Sequence, residues 1–299
     1  MKDRIVLFAA LFSFQVAAEE ALSFGAQVEL GYGYDSNVSV DDVDLSTNIG
    51  DQFADIQLSA NSRYKTGNKL ELSGHLTLSE KLYDSFNEFD GLLALVSLSA
   101  DKEAGNFDFG FSAHHIDYKL DNDGFLRLTQ LSPTVGWFYK KKSYVHLAYE
   151  KSDESYKQES DRDNSGQAIR ASFYYFLNGL RKYFSIQAEF GEREADALVF
   201  DNEAWQIQIS YLNQINLISR DSTLKFAYTH QERDYRKSIN PIIGDYREDQ
   251  RSRYEIELIT PIKEPWSLTS KIIYNDYDSN LTSSDYTQQI YQITITYEF

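Results

Sequence analysis

Strict alternation of apolar and polar residues sets the strongest limit on how this 299-residue chain can fold. It is clearest over the final eleven residues, QIYQITITYEF, where every second residue from Tyr291 to Phe299 is apolar. A β-strand points successive side chains to opposite faces, so this spacing predicts a strand with one apolar and one polar face. The segment is also long enough to cross a membrane as a tilted strand.

The same alternation recurs along most of the chain, for example over residues 24–34, 54–60, 184–190 and 205–211. We predict about 14 such strands, each close to the length of about 9–11 residues that a tilted membrane strand needs. They begin near residues 23, 52, 69, 91, 107, 127, 144, 166, 183, 203, 223, 251, 266 and 289. The sequence therefore predicts an all-β fold, a single transmembrane antiparallel β-barrel.

The first eighteen residues have a different pattern. Lys2 and Arg4 precede an apolar stretch over residues 5–18 that closes on small residues. This stretch is too short to span a bilayer as a helix and is typical of a cleaved signal peptide. We therefore expect a signal peptide over residues 1–18 and a bacterial outer-membrane barrel over residues 19–299. The chain contains no cysteine, so neither disulfides nor a lipid-modified cysteine are expected.

The connections between the predicted strands fall into two groups. Every second connection is short, at 65–68, 101–106, 140–143, 177–182 and 261–265, with 213–222 as a long exception. The others are often longer and polar, at 35–51, 151–165, 192–202 and 231–250. Short periplasmic turns and long extracellular loops are typical of outer-membrane barrels. The longest predicted loop, 231–250, has an apolar centre and is expected either to fold into the lumen or to contact a partner.

The net charge is −17, and the acidic residues concentrate in the predicted outer loops. Such a surface stays solvated and repels other copies of itself. Alternatively, divalent cations bridge the acidic loops to lipopolysaccharide. The expected partners are outer-membrane lipid and lipopolysaccharide, and no nucleic-acid partner is expected.

Sixteen charged or histidine side chains fall on the polar, inward-facing side of the predicted strands. These lumen candidates are Glu29, Asp55, Arg63, Glu71, His75, Lys81, Asp108, His114, Glu150, Arg170, Glu189, Lys225, Arg253, Glu255, Glu257 and Lys271. They either line a transport pathway or form a network of ion pairs that fills the lumen. Side chains can fill a barrel of eight strands, whereas about 14 strands enclose more space. The sequence therefore favours an open conduit.

The strongest catalytic candidate is the pair Ser112 and His114, which share one face of one strand. A serine nucleophile needs a histidine within hydrogen-bonding distance and a third group to orient that histidine. Residues two apart on a strand lie about 7 Å apart, which predicts too long a distance. The sequence has no GxSxG or phosphate-binding motif, so we expect neither enzyme activity nor a cofactor.

Oxygen-bearing side chains at Asp35, Asn37, Ser39 and Asp41 have the spacing of a calcium-binding loop. Val40 stands where such a loop requires glycine, so no metal site is expected. Tyrosines at the ends of strands, among them Tyr34, Tyr83 and Tyr277, are expected to form an aromatic girdle at the membrane–water interface.

Segment 31–38, GYGYDSNV, resembles the signature that opens the barrel of the surface lipoprotein assembly modifier family. The matching residues are Tyr34, Asp35, Ser36, Asn37 and Val38. The resemblance covers residues 22–299 and implies a conduit that moves lipoproteins or other secreted proteins to the cell surface. Members of that family carry a helical tetratricopeptide domain before the barrel, whereas here the first strand is predicted to start within a few residues of the cleavage site, so we expect no such domain. A separate periplasmic partner would then recruit the substrate.

Similar openings occur in porin-like barrels linked to polysaccharide export, so a passive channel is the first alternative. A structural or adhesive surface barrel with acidic loops is the second. The final strand also resembles the closing strand of bacterial outer-membrane barrels, whose last aromatic residue is part of the signal that the barrel-assembly machinery reads. That resemblance assigns the signal to Tyr291, Ile293, Ile295, Tyr297 and Phe299.

Overall fold

A computed structural model describes residues 22–40, 43–140, 142–217 and 220–299. The predicted signal peptide, residues 1–18, lies outside the described residues. No helix in the described ranges is both long and apolar enough to cross a membrane.

In this part of the chain, fourteen long antiparallel strands form a closed barrel. Each strand pairs with the next along the chain, and the last pairs with the first, for example Gly31 with Thr294. The first loop, 36–50, carries a small hairpin of two more strands, β2 (Ser39–Val40) and β3 (Leu45–Ser46). The barrel strands are β1 (Leu22–Asp35), β4 (Asp51–Lys65), β5 (Leu70–Tyr83), β6 (Gly91–Ala104), β7 (Phe107–Leu120), β8 (Asp123–Tyr139), β9 (Ser143–Tyr156), β10 (Asn164–Phe176), β11 (Lys182–Ala195), β12 (Asn202–Leu217), β13 (Arg220–Asn240), β14 (Asp245–Lys263), β15 (Trp266–Ser279) and β16 (Tyr286–Glu298).

The predicted fold class is confirmed, and alternation explains why the barrel forms. The register places polar side chains next to polar side chains on the inner face, as with Ser59 opposite Thr77. The outer face is apolar, and Phe24 and Ile169 are 64% and 62% exposed. A continuous apolar exterior is unfavourable in water and favourable against lipid. Closure also satisfies the backbone hydrogen bonds that an open sheet edge would leave unpaired in a membrane.

Loop lengths differ from the prediction in two places. Strands β12 and β13 continue through the predicted long turn at 213–222, since Leu217 pairs with Arg220. Strands β13 and β14 extend through most of 231–250 as a long hairpin, leaving only residues 241–244 as the loop. The prediction that 231–250 is the longest loop is therefore wrong, and the longest connection in the described chain is the first loop, 36–50. At the hairpin tip Ile242 is exposed, so this segment does not fold into the lumen.

The barrel has two distinct ends. We call the end that carries the first loop the loop end, and the opposite end, where connections such as 66–69 and 105–106 lie, the turn end. A buried apolar cluster, Val38, Phe53, Tyr83 and Phe89, lies at the loop end with Val40, Phe86 and Ile290 packed against it. The first loop is therefore packed into the barrel mouth and is not extended into solvent.

Candidate channel lumen and mouth

The hydrogen-bond register places all sixteen lumen candidates on the inner face of the barrel. On its strand, each lies on the face opposite the exposed apolar side chains, in register with polar side chains of the neighbouring strands. Their placement is a structural observation, while their role in transport stays a prediction. The inner wall they form has three arcs of different chemistry.

The first arc is a carboxylate–guanidinium–carboxylate bridge on three successive strands. Arg170 on β10 lies 2.7 Å from Glu150 on β9 through Nη1 and 2.7 Å from Glu189 on β11 through Nε. Both carboxylates and the guanidinium are partly shielded from solvent, which strengthens their attraction. This arc is a fixed part of the wall.

The second arc lies on β13, β14 and β15. The carboxylate of Glu257 accepts from Lys225 Nζ at 2.6 Å and lies 3.1 Å from Lys271 Nζ. Arg253 lies 2.7 Å from Glu255 on the same strand. Opposite charges are therefore paired along the wall, between neighbouring strands or within one strand.

The third arc, on β1 and β4 to β7, combines hydroxyl, amide and imidazole groups with charged side chains. Ser59 and Thr77 are 3.2 Å apart, and Thr77 hydrogen-bonds His75 at 2.8 Å. Gln57 donates to Glu29 at 3.2 Å. Four further candidates complete this side: Asp55 accepts from Gln292 at 3.0 Å, Arg63 pairs with Glu71 at 2.7 Å, and Asp108 lies beside Tyr144.

The lumen is accessible to solvent below the mouth. Asn61 and His75 both face inward and are nevertheless exposed, and the side chain of Arg63 is 57% exposed. Side chains that filled the interior would bury these groups. The paired charges therefore line the wall and leave space between the arcs.

The serine–histidine pair is closer than the sequence predicts. Nε2 of His114 lies 3.1 Å from Oγ of Ser112, so the expectation of too long a distance is wrong. Side chains two apart on one face can converge even though their Cα atoms are far apart. The second ring nitrogen of His114, however, contacts the hydroxyl of Ser97 at 2.8 Å. A hydroxyl does not stabilise an imidazolium as the carboxylate of a triad does.

The first loop is anchored at its base by Asp35, which is 1% exposed. Its carboxylate accepts hydrogen bonds from Gln288 at 2.9 Å, from Tyr83 at 3.0 Å and from the backbone N–H of Asn37 at 3.0 Å. The ammonium group of Lys81 lies 3.8 Å away. A buried carboxylate with this many donors holds the start of the loop in one conformation.

The tip of the same loop is held by Asp44. Its carboxylate makes a two-pronged contact with Arg247 of β14, at 2.6 and 3.0 Å, and accepts from Ser284 at 2.9 Å. It also binds Nη2 of Arg162 at 2.7 Å, which lies in the connection between β9 and β10. We call this set of contacts the loop latch. Arg247 and Ser284 lie together on one side of the mouth, 3.1 Å apart, whereas Arg162 comes from the wall opposite β1.

Aromatic rings support both arginines of the loop latch. The guanidinium of Arg162 lies 4.1 Å from the centre of the Phe200 ring, and that of Arg247 lies 4.6 Å from the centre of the Tyr235 ring. Such cation–π contacts stabilise a partly desolvated arginine. Arg247 is only 2% exposed, so the loop latch is a buried electrostatic contact.

The charges of the loop latch shift each other's pKa. Burial raises the pKa of Asp44, but the hydrogen bonds and charge of Arg247, together with Arg162, outweigh that effect and lower it to about 2. The carboxylate of Asp44 in turn raises the pKa of Arg162, against the opposing effect of burial. Each charged group therefore favours the charged form of the other.

The motif residues Tyr34 to Val38 have different environments. Tyr34 faces outward and is exposed, whereas Asp35, Asn37 and Val38 are buried beneath the first loop. Tyr83, also expected in an aromatic girdle, is instead buried and bonded to Asp35. Tyr277 shares the inner face with Asn275 and packs against Tyr286. The girdle interpretation is therefore wrong for Tyr83 and Tyr277, because the strand parity at these positions points them inward.

No protein-family model matches this chain, and no curated protein matches it by sequence. Solved structures do resemble it. The outer membrane channel DcaP of Acinetobacter baumannii matches with a TM-score of 0.59 at 12% identity, covering 93% of this chain and 97% of that chain. An anion-selective porin from Comamonas acidovorans matches with a TM-score of 0.56 at 8% identity, covering 93% and 99%. A bacterial polysaccharide outer membrane secretin matches with a TM-score of 0.51 at 7% identity, covering 92% and 98%.

Together with the apolar exterior, these likenesses decide the class of the fold. The chain is an outer-membrane β-barrel. Its fold is that of the porin-like channels, and identities this low speak to the fold alone. The barrel's predicted compartment, the bacterial outer membrane, agrees with both observations.

Proposed function

We propose that this barrel is a passive, porin-like channel whose mouth is narrowed by the first loop. The observation that carries the proposal is the loop latch, which fixes the loop across the mouth by joining Asp44 to Arg162 of the opposite wall. Below this loop the inner wall is polar, partly charged and accessible to solvent. A constriction above a hydrated lumen allows small polar solutes to pass and excludes larger ones.

The proposed channel has no catalytic step. Ser112 and His114 are in contact, but the orienting partner of His114 is Ser97 rather than a carboxylate. Among the described residues, no group of three or more His, Cys, Asp or Glu side chains is arranged to hold a metal ion. The hydroxyl-rich arc is better explained as a hydrated lining that solutes can pass along.

Translocation of a lipoprotein or other secreted protein is the second candidate. It is supported by the resemblance of Tyr34–Val38 to the surface lipoprotein assembly modifier signature, since Asp35 of that segment anchors the start of the first loop. A polypeptide could pass only after the loop latch opens, so this function requires a partner that displaces Asp44. Purified barrel that carries ions without any partner favours the passive channel.

We also propose that lipopolysaccharide and the barrel-assembly machinery contact the molecule. The outward-facing side chains of Tyr291, Ile293, Ile295, Tyr297 and Phe299 form an apolar row on the closing strand, which is accessible to such a machinery. The structure supplies the surface, and the partner itself stays a prediction.

A structural or adhesive barrel with these partners would carry no ion current, which separates it from a channel.

The test of the proposed constriction is the variant Asp44→Asn in the full chain. Removing the carboxylate leaves Arg162 and Arg247 without their shared counter-charge, so we expect the loop to leave the mouth. Single-channel conductance in KCl should rise about 1.5-fold or more, as a wider conduit predicts, and larger sugars should enter liposomes in a swelling assay. Asp84→Asn is the matched control, because Asp84 is an exposed carboxylate in a neighbouring loop.

Two results would contradict this proposal. A folded, inserted wild-type barrel that carries no current contradicts the channel itself. Equal conductance and equal solute cut-off in wild type and Asp44→Asn contradict the role of the first loop as the constriction.

A further inference from the structure

The inner wall is recessed where three neighbouring strands carry small residues. Ala168 on β10, Gly191 on β11 and Ala204 on β12 are adjacent in one row of the register. They face the lumen, because Ile169 and Phe190, the adjacent residues on two of these strands, are exposed apolar residues of the outer face. Small side chains project less far into the lumen, so this row lies lower than the wall around it.

Larger side chains stand around this row. Glu150 on β9 pairs with Ala168, and Arg233 on β13 pairs with Ala204, so these two residues bound the row at its ends. Towards the turn end the next inward row contains Arg170, Glu189 and Gln206, and towards the loop end it contains Gly166, Arg193 and Asn202. We call the row of small residues and its border the wall recess. It forms a cavity of about 220 Å³ along neighbouring strands.

The floor of the wall recess consists of small side chains and backbone. The carbonyl oxygen of Gln167 lies 3.1 Å from the position that a Cβ on Gly191 would take, and that of Glu192 lies 3.5 Å from the same position on Gly166. The side chains of Gln167 and Glu192 bond each other on the outer face. The carboxylate of Glu192 is therefore on the other side of the wall, and the floor itself carries no charge.

The charged side chains of the rim are paired with one another. Arg170 lies 2.7 Å from both Glu150 and Glu189, and Arg193 lies 3.3 Å from Glu154. Among the described residues that line the wall recess, the inward-facing charged groups are Glu150, Glu154, Glu189, Arg170, Arg193 and Arg233. Three carboxylates and three guanidinium groups cancel in formal charge, so the rim favours neither anions nor cations.

The paired groups can still make further hydrogen bonds. A carboxylate has more acceptor positions than one arginine occupies, and a guanidinium group has several N–H donors. The amides of Gln130, Gln206 and Gln231 add neutral donors and acceptors to the rim. A solute with many hydroxyl groups can use both kinds of partner, whereas an apolar solute would leave these groups without water and without a replacement.

The wall recess lies next to the loop latch. Glu154 of the rim accepts from the amide of Asn164 at 3.1 Å, and the same amide donates to the backbone carbonyl of Arg162 at 3.0 Å. Arg162 in turn binds Asp44 at the tip of the first loop. A solute that enters the barrel on this side of the first loop therefore passes the wall recess.

We infer that the wall recess binds a neutral saccharide unit, with one face of the sugar ring on the floor and its hydroxyl groups on the rim. This inference rests on the proposed channel and names the class of solute that the channel favours. The methyl groups of Ala168 and Ala204 contact the C–H groups of the ring. Each sugar hydroxyl both donates and accepts, so it bonds carboxylate, guanidinium or amide without separating an ion pair. A charged solute has to compete with the existing pairs, which costs binding free energy.

The test is the reduction of KCl current through the purified full-length barrel in a planar bilayer. The probes are the neutral disaccharides maltose and lactose. They are compared with a polyethylene glycol of similar mass, which has few hydroxyl groups, and with lactobionate, which carries a carboxylate. We expect at least one disaccharide to halve the current at a concentration about 10-fold or more below that of the polyethylene glycol, because only the sugar can bond the rim. Lactobionate should act several-fold more weakly than lactose.

Filling the floor should remove the site. Ala168→Leu/Ala204→Leu places two larger side chains in the space that the sugar ring needs, and the half-blocking concentration should rise about 10-fold or more. Each value is referred to the variant's own KCl current, so a change in pore size does not enter. Ser79→Leu is the matched control, because Ser79 lines the lumen on β5, five strands from β10, and gains the same side chain outside the wall recess.

A second variant tests the rim without filling the floor. Gln206→Ala removes one amide from the border and should raise the half-blocking concentration several-fold. Gln208→Ala is its control, since Gln208 is the next inward residue on the same strand and does not line the wall recess. Migration of each variant as the folded form in unheated SDS gels shows that the barrel is intact.

Three results overturn the inference. These are equal current reduction by the disaccharides and the polyethylene glycol, lactobionate as effective as lactose, and an unchanged half-blocking concentration in both Ala168→Leu/Ala204→Leu and Gln206→Ala. Each of them leaves the proposed channel intact, because KCl current is still measured. A folded barrel without current contradicts the channel instead. Calorimetric titration with maltose and lactose, in a detergent without a sugar headgroup, then tests the site, with heat of binding supporting it and its absence overturning it.

Discussion

Two aspartates of one loop have different partners and different consequences. Asp35 accepts hydrogen bonds from neutral donors, Tyr83 and Gln288, and fixes the start of the loop. Asp44 is bound by two arginines and fixes the tip. Removal of Asp35 affects groups on β5 and β16, on its own side of the barrel, whereas removal of Asp44 releases contacts that cross the mouth.

The titration of Asp44 predicts an acid-sensitive mouth. Its pKa falls from 3.8 to about 2 in the folded chain. A lowered pKa means that its contribution, about 2 kcal/mol, is fully present above about pH 4 and is lost as the pH falls through about 2. Single-channel conductance should therefore rise as the solution on the loop side is acidified over that range. Asp44→Asn should lack this rise, and an identical acid response in both proteins would contradict the assignment.

At the scale of elements, the first loop is a built part of the fold. Its hairpin is closed by backbone bonds from Val38 to Ile49 and from Thr47 to Val38, both 3.0 Å long. Val38 is fully buried against Phe53, Tyr83 and Phe89. The cluster at the base and the loop latch at the tip hold both ends of the loop, which is why it can lie across the mouth.

Val38→Ala should loosen the base of this loop. Loss of two buried methyl groups leaves a small cavity and costs about 1–2 kcal/mol of local stability. Protease cleavage or hydrogen exchange within residues 36–50 should increase. Leu45→Ala is the matched control, since Leu45 lies in the same loop with an exposed side chain. Equal protection of the loop in both variants would show that the cluster does not hold it.

At the scale of the whole molecule, closure depends on the seam between β1 and β16. Nine residue pairs join these strands, and the backbone N–H of Phe299 donates to the carbonyl of Ala26 at 2.9 Å. The seam is tight near the mouth, because a Cβ on Gly33 would lie 2.5 Å from the backbone oxygen of Tyr291 and 2.5 Å from the ring of Phe53. Only glycine allows the strands to approach this closely.

Gly33→Ala should therefore impair closure. The added methyl group meets backbone on the partner strand, which cannot move without breaking the register. The fraction of protein that migrates as the folded form in unheated SDS gels should fall. Gly25→Ala, on the same strand and face, meets only the flexible side chain of Asn61 at 3.1 Å and should fold normally. Normal folding of Gly33→Ala would show that the seam tolerates a wider spacing.

Much of the barrel follows from local pattern. The predicted strand starts lie close to the observed ones, and the largest difference is at β14, predicted near residue 251 and beginning at Asp245. The discrepancy arises because apolar and polar residues do not alternate strictly over 231–250, so the pattern carries little strand signal there.

The residues of the candidate site were also predictable only in part. Alternation assigned the inward face of Glu29, Arg170 and Glu257, because strand parity is a local property. It missed Asp44, Arg162 and Arg247, which stand in loops or beyond the alternating segments. The sequence singled out the segment containing Asp35 as a family motif at the end of a strand. It did not predict that Asp35 is buried and anchors the first loop.

By itself, the sequence determined an outer-membrane barrel with an apolar exterior and a polar, charged interior, since side-chain direction in a strand depends only on position along the chain. The tertiary structure decided that the first loop crosses the mouth and is held there by the loop latch. Asp44 is 118 positions from Arg162 and 203 from Arg247. Groups so far apart along the chain become neighbours only when the sheet closes, and no local pattern contains that information.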